Sequence, residues 1–193
     1  MSQNIDKLKH NFELHNMAVF QVSNSQELLT LLNEFINDRT AVGCGDSVTL
    51  EQTGVFDYLR KRDITFLDKY QPGLSHEDKR AIYLRNFFAD TFITGTNAIT
   101  VDGKIFNIDG NGSRVAPMIY GPEQVIIVVG TNKITENAAE AIKRLGKGTP
   151  CTKLDRCIDC IHKERICNDF MLIVNQFVKD RIKIIIVNEE LGY

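Results

Sequence analysis

Nothing in this sequence is apolar for long enough to cross a bilayer. A spanning helix needs about twenty such residues, and the longest runs, VIIVV at 125–129 among them, stop far short of that. The opening stretch MSQNIDKLKHNFELHNM is polar and lacks the apolar core of a signal peptide. These absences lead us to expect a cytoplasmic chain with no membrane partner. Neither charge is in excess, because 23 Lys and Arg face 25 Asp and Glu for a formal net charge of −2. No field favours a phosphodiester backbone, so nucleic acid is not an expected partner. Internal repeats, low-complexity tracts and linkers rich in Gly, Pro and Ser are missing. So are the Gly-Lys-Ser/Thr ending of a P-loop and the three-glycine dinucleotide fingerprint. None of the four histidines, His10, His15, His76 and His162, lies in a segment resembling a catalytic triad.

What is present is the composition of a globular protein, 43% hydrophobic and 25% charged over 193 residues. That length suits one domain with a substantial core, expected over residues 1–193. Apolar residues at Ile5, Leu8, Phe12 and Leu14 come at helical spacing and predict a docking helix within residues 1–17. A strand over 18–22 follows, and Ser23 or Ser25 can cap a helix through Leu28, Leu32 and Ile36. Next come a strand at 40–44, a helix through Val55 and Leu59, a strand at 64–67, a helix over 77–89 and a strand at 91–94. This alternation predicts an α/β fold of three layers, a mostly parallel sheet flanked by helices. Strands buried on both faces read as near-continuous apolar runs, which accounts for VIIVVG at 125–130 and KIIIVN at 183–188. One piece interrupts the order. Asp102 and Gly103 sit between short β-type runs at 99–101 and 104–106, predicting an inserted antiparallel hairpin with positive φ at both central residues. A helix is expected around 138–145, and 146–150 is the one boundary candidate before a Cys-rich segment.

Chemistry is concentrated in a few segments, above all GTNAITVDGKIFNIDGNGSRVAPMIYGP at 95–122, which we expect to face a ligand. In VGCGDSVTLEQTG a strand runs into Gly43, Gly45, Ser47 and Thr49 at the start of a helix. Free N–H groups there can receive a phosphate or carboxylate; the same residues also suit a tight turn with Asp46 or Ser47 as N-cap. After the hairpin, Asn107, Asp109, Gly110, Asn111 and Gly112 lead to Ser113 as the expected cap of a short helix. Arg114 in its first turn can hold an anion bidentately, and Asp109 can act as a base or bind hydroxyls, so these two are the catalytic candidates. The alternative is a set of turn hydrogen bonds with Arg114 paired to Asp109. Thr96 and Asn97 follow one strand, and Asn132 and Lys133 follow another, at the carboxyl ends where open parallel sheets bind ligands. Lys133 reads equally well as a solvated charge.

Of five cysteines, Cys44 stands alone and reads as a small core residue. Cys151, Cys157, Cys160 and Cys167 fall in CTKLDRCIDCIHKERIC at 151–167. Four clustered thiolates could close a zinc site or hold an iron–sulfur cluster, although the spacing matches neither a zinc ribbon nor a ferredoxin run. Reduced thiols or an oxidisable Cys157/Cys160 pair are the other readings.

The block GTNAITVDGKIFNIDGNGSRVAPMIYGPEQVIIVVGTNKI closely resembles the central signature of the LUD (lactate utilisation) domain family, and GCGDSVTLEQTG resembles its upstream glycine loop. The segment ending in RICN and the closing IIIVNEELGY resemble the C-terminal portion of a subgroup. Ser113 departs from the pattern, standing where the family has Asn in a Gly-Asn-Arg-Val string. The resemblance implies a fold like that of the glucosamine-phosphate isomerase, ribose-phosphate isomerase and CoA-transferase superfamily. It also implies a small anionic metabolite as ligand and, as in some members, iron–sulfur redox subunits as partners in oxidising lactate or a related organic acid. It supplies no catalytic residues. A stand-alone isomerase, transferase or ligase acting on a phosphosugar, CoA ester or folate-like anion is the alternative, and a non-catalytic assembly subunit or redox-responsive scaffold is the third.

Overall fold

The two uninterrupted apolar runs lie side by side at the centre of the computed structural model, which describes residues 2–146 and 169–193. They form β7 (Gln124–Gly130) and β10 (Ile182–Val187), which pair in parallel with Ile184 opposite Ile127. Around them stand β1 (Ala18–Val22), β2 (Ala41–Cys44), β3 (Thr65–Leu67) and β4 (Thr91–Gly95). The sheet runs β1-β10-β7-β4-β2-β3, and every neighbouring pair is parallel.

Each face of this sheet has its own cover. On one, α2 (Ser25–Phe35), α3 (Val48–Gln52) and α4 (Val55–Arg60) bury Leu28, Leu32, Leu50 and Leu59 against Ile126, Val128, Ile185 and Val187. Each fully buried side chain of this size contributes about 1.5–3 kcal/mol. The other face is covered by Leu8 and Phe12 of α1 (Ser2–Leu14) and by a second sheet. That sheet is built on the expected hairpin, β5 (Ala98–Thr100) and β6 (Ile105–Asp109), and runs β8-β5-β6-β9. The flanking strands β8 (Ile134–Thr135) and β9 (Asp169–Ile173) were not legible in the sequence. Helix α7 (Ala138–Gly146) packs on its outer side, where Ala141 and Leu145 meet Ala98 and Phe106. The hairpin therefore founds a layer of its own.

Local chemistry corrects several expectations. Asn24 caps α2, its side chain accepting from the Glu27 N–H at 3.0 Å, while the Glu27 carboxylate accepts from the Ser23 N–H at 2.7 Å. Neither Ser23 nor Ser25 does so. Leu14 is 65% exposed and takes no part in docking α1. The helix expected over 77–89 is α5 (His76–Arg85) followed by a 3-10 turn, Asn86–Phe88. In the hairpin only Gly103 has positive φ, at 83°, and its N–H donates to Thr100 O at 3.0 Å. The loop is thus the three-residue kind, a turn closed by a left-handed glycine. Two bonds impose it: the Lys104 N–H donates to the Thr100 hydroxyl at 3.0 Å, and β8 takes the Val101 N–H through Thr135 O at 2.9 Å. A Cβ at Gly103 would come within 2.9 Å of the Asn11 backbone, so α1 seats directly on this turn. The short helix α6 (Val115–Ile119) starts one residue later than expected, with Arg114 at its cap position. Ser113 does not cap it: the helix begins after Arg114 with no side-chain cap bond, and the Ser113 N–H instead donates to Asn111 Oδ1 at 3.1 Å within the turn.

Candidate functional site

From β2 the chain moves outward to β3, then returns to β4 on the other side of β2 and continues through β7 to β10. The carboxyl ends of β2 and β4 therefore flank a switch point, where open parallel sheets form a crevice. Small residues let the two ends close up. The Gly45 N–H donates to Ile93 O at 2.9 Å. A Cβ at Gly45 would run into the Thr94 hydroxyl and the Arg114 stem, and one at Gly95 into the Ser47 hydroxyl. Ser47 caps α3, accepting from the Leu50 N–H at 3.2 Å. Gly43 lies elsewhere, within β2, where a Cβ would come 2.5 Å from Asn86 Oδ1.

The loop after β6 closes upon itself. Asn97 Oδ1 accepts from the Ile108 N–H at 3.1 Å, and Asn107 Oδ1 from the Asn97 N–H at 3.2 Å. Arg114, buried, binds both amides with its fork and donates to Ile108 O at 2.7 Å. Asp109 accepts from the Arg114 N–H at 3.1 Å and stands 3.7 Å from Nε. Most of the guanidinium is thus committed to holding the loop. Thr96 faces the hairpin backbone, its hydroxyl donating to Phe106 O at 3.2 Å. Gly110 is exposed at the loop tip and Gly112 has a φ of 75°.

Two lysines follow strand ends, and the protein treats them differently. Lys69, just past β3, is buried with its ammonium 2.9 Å from the Asp46 carboxylate and 5.3 Å from the centre of the Tyr83 ring. The Tyr70 hydroxyl donates to the same carboxylate at 2.7 Å. The Asp46 side chain is partly open to solvent; partial loss of water around it acts to raise its pKa, but the Lys69 charge and the Tyr70 bond outweigh this and hold the carboxyl below its ordinary value. Beneath this pair, burial pushes the Cys44 thiol up to about 12, as befits an inert core residue.

Lys133, just past β7, is 5% exposed. Its ammonium donates to the Thr49 hydroxyl at 2.8 Å, and among the described residues no acid pairs with it. Burial first, then the charges of Arg144 and Arg114, push it down to about 7. Arg144, from α7, donates through Nε to Asn97 O at 2.9 Å. Among the described residues its Nη2 is buried without a partner, and so is Nδ2 of Asn107. Asn132 is structural: its side chain accepts from the Leu191 N–H at 3.1 Å and ties the segment holding Gly192 over Lys133.

The structure therefore brings Gly45, Ser47, Thr49, Asn97, Asn107 and Arg114 together with Lys133. The sequence reading missed Lys69, which the strand-end rule could have found, and Arg144, for which there was no local signal. Cys151, Cys157, Cys160 and Cys167 lie outside the described residues. Among the described residues no group of three or more His, Cys, Asp or Glu is arranged to hold a metal ion, and no helix is long and apolar enough to cross a membrane.

No curated protein matches the chain. Among solved structures, it is similar to a DUF162 family protein from Deinococcus radiodurans, with 14% identity, a TM-score of 0.57 and coverage of 96% of each chain. That likeness speaks for the fold alone. It also matches eIF2B beta from Chaetomium thermophilum at 14% identity and a TM-score of 0.42, over 60% of this chain and 44% of that one, too slight to argue from. The LUD domain family model matches residues 5–187. With nearly the whole chain matched and the fold agreeing, the protein belongs to the LUD domain family.

Proposed function

We propose that this LUD-domain protein binds a small organic acid at the carboxyl ends of β2, β4 and β7, as one subunit of a redox system that oxidises lactate or a related acid. The observation that carries the binding site is a charge imbalance. Lys69 is matched by Asp46 and Arg114 by Asp109, whereas Lys133 and Arg144 have no acid among the described residues. A buried cation without a counter-charge is costly, and so is a buried donor without an acceptor. A carboxylate meeting Arg144 Nη2, Asn107 Nδ2 and the Lys133 ammonium would relieve both. Redox partnership rests on the family and on Cys151, Cys157, Cys160 and Cys167, which would hold an iron–sulfur cluster or zinc.

Calorimetric titration with lactate and with inorganic phosphate tests the site. Lactate is expected to bind, and Arg144→Gln to weaken it roughly tenfold, the loss of one charge-assisted hydrogen bond. Binding of phosphate alone would move the protein to the phosphate-ester reading, and an unchanged affinity in Arg144→Gln would refute the placement.

A further inference from the structure

Beyond β10, residues 188–193 lie across the end of β7 and against α3, and two glycines let the backbone come that close. A Cβ on Gly130 would come 2.6 Å from Leu191 N and 2.8 Å from Glu189 O. One on Gly192 would come 2.7 Å from Lys133 Nζ and 2.7 Å from Thr49 Oγ1. Gly192, with a φ of 67°, therefore sets main chain in the place beside the Lys133 ammonium that an incoming anion would need. A carboxylate there and the seated segment exclude each other.

The segment is gripped mainly by polar groups of the crevice walls. Glu189 O accepts from the Thr131 N–H at 2.9 Å, the Leu191 N–H donates to Asn132 Oδ1 at 3.1 Å, and the Gly192 N–H donates to Gln52 Oε1 at 2.7 Å. The Thr49 hydroxyl, which accepts from the Lys133 ammonium at 2.8 Å, donates to Leu191 O at 3.4 Å. Within 188–193 only Leu191 is buried. A segment with one apolar anchor, and otherwise with bonds that water can replace, opens at far lower cost than the core. Seating it also encloses an ammonium whose partner is a hydroxyl, and the water lost from around that charge is a cost that lifting removes.

We propose that residues 188–193 form an autoinhibitory strap, which covers Lys133 when seated and lifts to admit a small carboxylate to its ammonium. The ligand's part in this rests on the organic-acid reading of the same crevice. With the strap seated the Thr49 hydroxyl is spent on Leu191 O; with it lifted, that hydroxyl is released to the ligand.

Hydrogen exchange on the full chain without ligand, followed by NMR, tests the motion. The Leu191 and Gly192 amides are expected to exchange roughly a hundredfold or more faster than those of Ile184 and Ile185 in β10. Equal protection would overturn the strap, because the segment would then open only with the whole protein. Cyanate, which carbamylates uncharged amines, tests the cover, with the modified lysines located by peptide mass. Two variants unseat the strap by different routes: Leu191→Ala removes its anchor, and Gly192→Ala puts a methyl against Lys133 and Thr49 at a φ that alanine resists. In both, Lys133 should react roughly tenfold faster than in wild type while Lys69, the buried control, is unchanged. Acceleration at neither lysine, or equal acceleration at both, would overturn the strap. Calorimetry with lactate tests the gating. Both variants should bind it roughly tenfold more tightly, since the acid no longer has to displace the strap. Wild-type affinity in variants that expose Lys133 would overturn the gating. If lactate binds none of the three proteins, the organic-acid reading and the gating fall together, while exchange and carbamylation still decide whether the strap exists.

Discussion

Lys69 and Lys133 occupy matching places, each just beyond the carboxyl end of a parallel strand and each buried, yet they sit in opposite electrostatic company. Lys69 has a carboxylate at 2.9 Å and two tyrosine rings near its ammonium. Lys133 has a hydroxyl at 2.8 Å and two arginines. The first arrangement satisfies a charge and the second refuses one. Strand-end position alone therefore does not define a ligand site; the balance of neighbouring charges does, and only one half of this crevice is left for a ligand to complete.

The largest way to break this contrast is to remove the unsatisfied amine. Lys133 has a folded pKa depressed from 10.5 to about 7. Between those values the unfolded chain carries a proton that the folded one lacks, so stability rises with pH across that window. Below pH 7 both states are charged and the full penalty is present; above about 10.5 it has gone. Lys133→Met is therefore expected to be the more stable protein by about 5 kcal/mol at pH 6, converging with wild type at strongly alkaline pH, as read by urea unfolding at several pH values.

A smaller effect, this time a loss, should follow at Arg114, whose charge acts on both Asp46 and Lys133. Arg114→Ala leaves Asn97 and Asn107 without their shared donor and Asp109 without its cation, and should lose about 3 kcal/mol. Arg114→Lys should not restore it, since an ammonium cannot span both amides. Recovery of wild-type stability in Arg114→Lys would show that charge, rather than the fork, holds the loop.

The least effect is expected at Asp46. Asp46→Asn would make Lys69 resemble Lys133, and because the Asp46 side chain is itself largely exposed the loss should be about 2 kcal/mol by urea unfolding. Water can partly replace that carboxylate. An unchanged midpoint would mean that the tyrosines satisfy Lys69 without it.

Much of the architecture was legible. Gln124–Gly130 and Ile182–Val187 announced themselves because parallel strands buried on both faces need apolar residues at every position. Leu8 and Phe12 marked the buried side of α1 by spacing alone. Ile134–Thr135 was invisible because two residues carry no period, and Asp169–Ile173 because its meaning depends on pairing with Ile105–Asp109 far away in the chain. The Asp-Gly pair located the hairpin, but the Thr100 hydroxyl and the neighbouring strand chose its turn. At the site, the polar density of the loop after β6 was visible. That Asn97, Asn107 and most of Arg114 serve the loop itself was not, since each bond joins residues from different strands and turns.

The sequence by itself determined the alternation of strands and helices, the parallel central pair and the crowding of polar residues at 95–122, because hydrophobic periodicity and turn chemistry act between near neighbours. Only the tertiary structure decided which charges are matched. Asp46 reaches Lys69 from another strand end, and Arg144 bears on Lys133 from α7. Whether a buried amine keeps its proton depends on desolvation and on charges brought close through space, and neither quantity exists until the chain has folded.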